Sequence, residues 1–458
     1  MSSDLTTGPV PAHLRRQAIP MGLGLIAIIS FDAVDLFFVS RLGDMPLAAI
    51  SFCFPVLWLL TSVIIGFEAG AASTISRAVG RNDRLSARRQ TTDTAMLAGL
   101  VVAALCLAGL FTIAPVFGLL GATPEVMPFV RDYMEVWYWS APVSAVTWIC
   151  LASMRARGNT MLEGKIIIIA AALNAILDPI MIFGLLGFPR LEIAGAAWAT
   201  LTSNMLVLTG TLGYLHFGLR VFATPFTHIR NVMDSWGRML HVGLPAMLTN
   251  AIVPLANGIV VALLATYGVD AVAGFGVAIR IEPIALIAFY AMSAITSPFM
   301  GQNIAAHKFG RLDEARRTIG KFAVVYGLIL TVAFAFLAGP LTAVFTDTES
   351  IQTVAVEYLW IMVISYAGYG IVMSMCAGFN GIGDPLPGVA ISASRAFVVF
   401  LPLAFAGQAL IGMNGIFVAA AISNLVLGIA AYTWFGRHIR RDEATHRAGS
   451  DIASSDLL

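Results

Sequence analysis

Asp32 and Asp35 stand three residues apart inside the apolar stretch 30–49, SFDAVDLFFVSRLGDMPLAA. A carboxylate is costly in lipid, so each should face a bundle interior or a wet cavity and mark a transport or ion-coupling site. Asn174 and Asp178 are four apart and therefore share one helix face. Together with Asp35 and a hydroxyl such as Thr200 they offer two carboxylates, an amide oxygen and an alcohol. That hard-oxygen set suits Na+ or a shared proton, and it contains no soft ligand for a transition metal. Asp32, one turn before Asp35, either extends this set or caps the outer end of a wet crevice. Glu68, among small residues in IIGFEAGAAS, is read either as a cavity charge for a cationic substrate or as a plain interhelical hydrogen bond. Arg280 and Glu282 are two apart, about 200° around a helix axis, so each needs a partner from another helix. For Arg280, structural pairing is the favoured reading, because buried charges are usually paired.

The elements that must position these groups are read from composition. Of the 458 residues 58% are hydrophobic and 12% charged, and the mean hydropathy is +0.84, which places the chain among polytopic membrane proteins. A net charge of +1 offers no basic field for nucleic acid. Cys53, Cys106, Cys150 and Cys376 sit in apolar runs without metal or redox spacing, and no cofactor is implied. Trp and Met residues such as Trp137, Trp148 and Met154 read as core and interfacial belt. No catalytic cluster suggests an enzyme. The first residues lack the pattern of a cleaved signal and read as a short cytoplasmic tail.

Apolar runs of about 20 residues or more lie near 17–42, 47–76, 91–119, 128–154, 164–187, 194–218, 239–266, 271–300, 320–345, 351–378, 389–411 and 413–436. With the N-terminus inside, most of the 27 Lys and Arg fall in cytoplasmic loops, and the opposite face keeps only Arg41, Arg131 and Arg190. The expected architecture is an all-α integral membrane protein with twelve transmembrane helices in two pseudo-symmetric six-helix lobes around a central cavity. Residues 1–218 form the first lobe, 219–237 a cytoplasmic linker, 238–440 the second lobe and 441–458 a cytoplasmic tail.

The two lobes rest on an internal repeat. Gly43 matches Gly268, Asp132-Tyr133 matches Glu357-Tyr358, and Gly158-Asn159 matches Gly383-Asp384, each at an offset of 225. Pro179 and Gly184 are matched to Pro402 and Gly407 at 223, Ser203-Asn204 to Ser423-Asn424 at 220, and Ala87-Arg88-Arg89 to Ala315-Arg316-Arg317 at 228. On these offsets Asp35 meets Val260, Asn174 meets Phe397, Asp178 meets Leu401 and Glu68 meets Ser293. Polar groups that a similar scaffold does without are the better functional candidates. Asp32 meets Asn257 and reads more as shared scaffold.

The ordered motifs resemble the multidrug and toxic compound extrusion (MATE) family, in its DinF-like prokaryotic branch, over roughly residues 14–440. They are Asp35-Leu-Phe-Phe-Val-Ser-Arg-Leu-Gly43, Ser76-Arg-Ala-Val-Gly80, Gly158-Asn-Thr160, Asn174-Ala-Ile-Leu-Asp178-Pro179, Gly195-Ala-Ala-Trp-Ala-Thr200, Arg280-Ile-Glu282, Gly301-Gln-Asn303 and Gly381-Ile-Gly-Asp-Pro385. The resemblance implies a monomeric antiporter of a prokaryotic plasma membrane, exporting organic cations and other amphipathic compounds against H+ or Na+. Its coupling site would carry over to Asp35, Asn174, Asp178 and Thr200, with Na+ held at the first three if Na+ is the ion. Asp32 and Glu68 depart from any general motif of the family. The alternative is a flippase for a lipid-linked precursor in the related superfamily, for which extra helices and a cationic cavity would be expected.

Overall fold

The computed structural model describes residues 4–224 and 229–455. Residues 225–228 of the expected linker and 456–458 of the tail lie outside that range. Every regular element among the described residues is helical. In lipid an open strand edge would leave its backbone groups unpaired, whereas a helix satisfies them internally. The first half holds α1 (Val10–Ser40), α2 (Asp44–Gly80), α3 (Arg84–Leu119), α4 (Met127–Ala156), α5 (Thr160–Phe183) and α6 (Glu192–Gly213). The second holds α7 (Ile229–Leu264), α8 (Val269–Ala305), α9 (Phe309–Ala343), α10 (Glu349–Val363), α11 (Tyr366–Ile382), α12 (Leu386–Ala393), α13 (Leu401–Ile411) and α14 (Met413–Ser455).

Nine of the described helices, with α12 and α13 taken as one, are apolar and long enough to cross a bilayer, and the α10–α11 pair, bent by 61°, makes a tenth. The 30-residue α4 and 22-residue α6 complete twelve segments, each of spanning length but more polar. The expected span 351–378 is thus a broken one. At the break the Ser365 hydroxyl donates to the Met362 carbonyl and accepts from Asn424 Nδ2, so side chains serve polar groups that a straight helix would pair internally.

Contacts divide the chain into one unit of Ile19–Met247 and a second of Asp4–Ala18 with Leu248–Leu458. The division falls beyond the expected linker because α7 packs its first turns on α2. A Cβ at Gly70 would come within 2.6 Å of the Met239 carbonyl oxygen. The N-terminal segment, expected as a short tail of the first lobe, packs with the second unit instead. Leu5 is fully buried in the second unit, its amide donating to Gln302 and its carbonyl accepting from Asn303 and Arg311.

The first unit's core is formed by α2, α3, α4 and α6, through residues such as Phe67, Phe117, Met134 and Ala197. The second is centred on α8, α10, α11 and α14, where the Tyr358 ring meets Phe275 and Phe417 edge-on at centroid distances of 5.3 and 5.1 Å.

The repeat extends to backbone geometry. Gly43 and Gly268 share φ/ψ of 112/−178° and 104/176°, a region open essentially to glycine alone. Asn82 and His307, also 225 apart, both take the left-handed conformation, with φ of 57° and 55°. The Ser203 hydroxyl donates to the Ala170 carbonyl as Ser423 does to that of Arg395. Asn204 donates to Ser140 as Asn424 does to Ser365.

These pairs correct two expected alignments. The caps Asp83 and Lys308 keep α3 and α9 at offset 225, not 228. Gly195 closes on Met181 and Ile182 as Gly415 closes on Gly407 and Gln408, so this region stands at 226, not 223. The added residue is accommodated by the π-helical turn Ser394–Phe400, which links α12 to α13. Asn174 then falls opposite Val399 or Phe400, and Asp178 opposite Leu403 or Ala404. The counterparts remain apolar.

Candidate functional site

In the first unit the site is set by the contact of α1 with α5. A Cβ at Gly164 would lie 2.5 Å from the Pro20 carbonyl oxygen, and one at Gly24 would lie 3.5 Å from the Gly164 Cα. From that contact Asp35 is eleven residues along α1 and Asp178 fourteen along α5. At about 100° per residue both return to within roughly 40° of the glycine face, and at 1.5 Å per residue they rise about 17 and 21 Å. The two glycines thus bring Asp35 and Asp178 to one level, near enough to feel each other's charge.

Asn174 and Asp178 are both buried on α5. With its amide nitrogen toward Asp178, Asn174 donates to both carboxylate oxygens at 2.9 and 3.0 Å, and its oxygen accepts from Thr200 Oγ1 of α6 at 3.2 Å. With the amide reversed, its nitrogen donates to Thr200, whose hydroxyl donates to the Ala196 carbonyl at 3.1 Å. The first arrangement serves an ionised Asp178. The second presents an amide oxygen to a protonated one. One proton on Asp178 therefore changes the hydrogen bonds of two further side chains on two helices.

Asp35 Oδ1 is buried without a hydrogen-bond partner. A buried carboxylate oxygen without a donor is a place where a proton or a cation can bind. Asp32 is exposed on α1 and interacts electrostatically with Asp35. Tyr133 of α4, which the sequence did not single out, is buried within electrostatic range of Asp35, Asp178 and Asp32. Its signal was the Tyr133–Tyr358 match. In the second unit Tyr358 donates to Glu282 Oε2 at 3.2 Å, and Arg395 interacts with that carboxylate electrostatically. Arg395 lies 4.9 Å from the centroid of the Tyr369 ring and donates to Asn424 at 3.0 Å. A repeat-related tyrosine thus lies near an acid in each unit, although only Tyr358 is hydrogen-bonded to it and the acids come from different helices.

Glu68 takes the second of its two readings, an interhelical bond, whereas Arg280 departs from expectation. Glu68 is held in a buried chain with Arg155, which in turn grips Glu163 through Nη2 at 2.7 Å and Nε at 3.0 Å. It is therefore a structural ion-pair partner of α4 rather than an open cavity charge. Arg155 escaped notice because MRARGN reads as a basic loop, yet its side chain is only 7% exposed. Arg280, expected to be paired, is exposed and makes no ion pair or hydrogen bond among the described residues. Its helix turns it away from Glu282, as the 200° separation requires.

Comparison with known proteins adds four findings. The family model MatE matches residues 20–180 and again 245–406, two segments that repeat the 225-residue offset. The FAD transporter of Shewanella oneidensis is 35% identical over 93% of this chain and 95% of its own length. The probable multidrug resistance protein YoeA of Bacillus subtilis is 26% identical over 93% and 92%. The bent form of the Vibrio cholerae MATE transporter VcmN superimposes with a TM-score of 0.90 at 28% identity, covering 95% of this chain and 98% of that one.

Proposed function

The chain belongs to the multidrug and toxic compound extrusion family of transporters, a multi-pass membrane protein and not an enzyme, and we propose that it is a secondary antiporter exporting an amphipathic substrate against H+ or Na+. The observation that carries this reading is the chain Asp178–Asn174–Thr200 beside a partnerless Asp35 oxygen, at positions where the second repeat is apolar. Coupling requires only that the ion bind two conformations with different affinity. A site that spans α1, α5 and α6 has that property, because any movement of α1 changes what Asp35 can share with Asp178. Two carboxylates, an amide oxygen and a hydroxyl fit Na+ as well as a proton, so both ions remain within the proposal. The two repeats act as lobes in alternating access, the arginine-rich loops lie in the cytoplasm of a prokaryote, and the working unit is the monomer.

Two substrate classes follow from the relatives. Organic cations are favoured by the acidic site and by relatives such as YoeA. A flavin dinucleotide is favoured by the 35% identical relative, which bears the name FAD transporter. Proteoliposomes loaded with ethidium or with FAD, under an imposed H+ or Na+ gradient, separate the four combinations. Gradient-driven movement of either substrate supports antiport. Movement of neither under either gradient rejects it and favours the lipid-precursor flippase.

A further inference from the structure

At the arginine-rich end of the first unit a pocket of 370 Å3 lies between the α2–α3 turn, the α4–α5 turn and the chain following α6. Four guanidinium groups, Arg84, Arg88, Arg157 and Arg220, line it, with no carboxylate among the lining residues. Arg157 donates only to neutral acceptors, the carbonyls of Ser153 and Ala87 and the Thr91 hydroxyl. Burial pushes it down to about 10, which leaves it charged at neutral pH. Arg88 donates to the Phe222 carbonyl at 2.9 and 2.6 Å. The Arg84 and Arg220 side chains are exposed and make no hydrogen bond or ion pair among the described residues. Asp83 lies next in sequence, but its carboxylate caps α3 through the Ser86 amide.

A bias of cations to one side of a membrane accounts for arginines in these loops, but not for their convergence on one pocket without counter-charges. The repeat gives an internal control. At offset 225, Arg88 is replaced by Asp313 and Asn159 by Asp384, while Arg84 becomes Phe309. A pocket of the second unit beside the repeat-related α8–α9 turn, of 470 Å3, includes Glu314 and Glu443 beside its basic residues, with Arg447 bonded to Glu443. The scaffold therefore does not need four unneutralised arginines.

We propose that this pocket binds a phosphate-bearing anion, of the chemistry shared by an anionic phospholipid headgroup and inorganic phosphate. Planar guanidinium groups pair with phosphate oxygens through two parallel hydrogen bonds, and basic pockets at the ends of membrane helices suit lipid headgroups. Asn82 and Asn159 add polar edges, and Met154, Leu215 and Val221 form an apolar wall suited to the glycerol and first acyl carbons. Phe217, 82% exposed, extends that apolar surface outside the pocket.

The test uses the purified full-length protein in neutral detergent, with phosphatidylglycerol, phosphatidylcholine and inorganic phosphate as probes. Native mass spectrometry counts retained lipid, and thermal unfolding reports stabilisation. The wild type is expected to retain phosphatidylglycerol over phosphatidylcholine by about 10-fold or more, and Arg84→Gln/Arg220→Gln should abolish that preference while melting as the wild type without lipid. Leu219→Glu, which adds a carboxylate to the lining, should do the same with all four arginines intact. Protection by inorganic phosphate together with displacement of the lipid identifies the free anion as sufficient. Retention of lipid with no effect of phosphate identifies the headgroup. Binding of neither probe, or equal phosphatidylglycerol retention by the double variant, overturns the proposal.

Discussion

Replacing Arg155 tests whether the Glu68–Arg155–Glu163 chain holds the first unit together. The side chains of Arg155, Glu68 and Glu163 are 7%, 10% and 0% exposed, so the guanidinium is the cation that compensates two carboxylates removed from solvent. Arg155→Leu leaves both acids uncompensated, a change that costs about 3–5 kcal/mol when a buried pair loses one member. Glu163→Gln keeps an acceptor for Arg155 and leaves the Glu68 pair intact, at a cost of roughly 1–3 kcal/mol. Replacing all three residues by Met or Leu removes the desolvation penalty with the pairing, and should end between neutral and about 4 kcal/mol more stable than the wild type. The order expected is therefore Arg155→Leu least stable, Glu163→Gln intermediate, and the triple variant at or above the wild type. Unfolding by dodecyl sulfate in mixed micelles, followed by tryptophan fluorescence, ranks the four proteins. Arg155→Leu within about 0.5 kcal/mol of the wild type, the range of an ordinary surface change, would refute the reasoning. So would a triple variant as unstable as the single one.

The α1–α5 contact predicts that Gly164→Leu, whose Cβ alone would press 2.5 Å from the Pro20 carbonyl oxygen, lowers stability by about 1–3 kcal/mol and abolishes transport; transport at the wild-type rate would count against the glycine contact as the determinant of site geometry. Asn174→Ala removes the donor to Asp178 and should reduce gradient-driven efflux by roughly 10-fold or more. Thr200→Val should cost less than Asn174→Ala, since it removes only the outer hydroxyl of the chain, and the reverse order would contradict the relay. Leu5→Asp should release the N-terminal segment, raising amide exchange at residues 5–8 by one to two decades, from about 1.5–3 kcal/mol of lost burial. Unchanged exchange there would mean that the backbone bonds to Gln302, Asn303 and Arg311 suffice without the side chain.

The twelve segments were legible because lipid imposes length and apolarity on every crossing, and α4 and α6 were found despite their polar content because loop arginines keep the parity of sides. The repeat was legible at glycines, where backbone geometry restricts the residue, as at Gly43 and Gly268. Asp35, Asn174 and Asp178 could be grouped in advance since all three interrupt apolar faces that the second repeat leaves intact, and Thr200 joined them as a nearby hydroxyl and through the resemblance. The π-helical turn at Ser394–Phe400 was not legible, because inserting one residue leaves no compositional mark. The α10–α11 break was hidden for a similar reason, since a single serine and a distant asparagine supply its hydrogen bonds. Arg155 and Leu5 were missed because each lies at a boundary where sequence pattern says loop, while tertiary contacts bury both.

The central claim, that Asp35 and Asp178 couple ion movement to export, is tested most directly by gradient-driven efflux in proteoliposomes carrying matched amounts of wild type, Asp35→Asn and Asp178→Asn. Amide replacement keeps shape and polarity while removing the capacity to exchange a proton or hold a cation as a carboxylate. The expected result is normal insertion with efflux lost in both variants under whichever of the H+ and Na+ gradients drives the wild type. Efflux at the wild-type rate by Asp35→Asn would contradict the account.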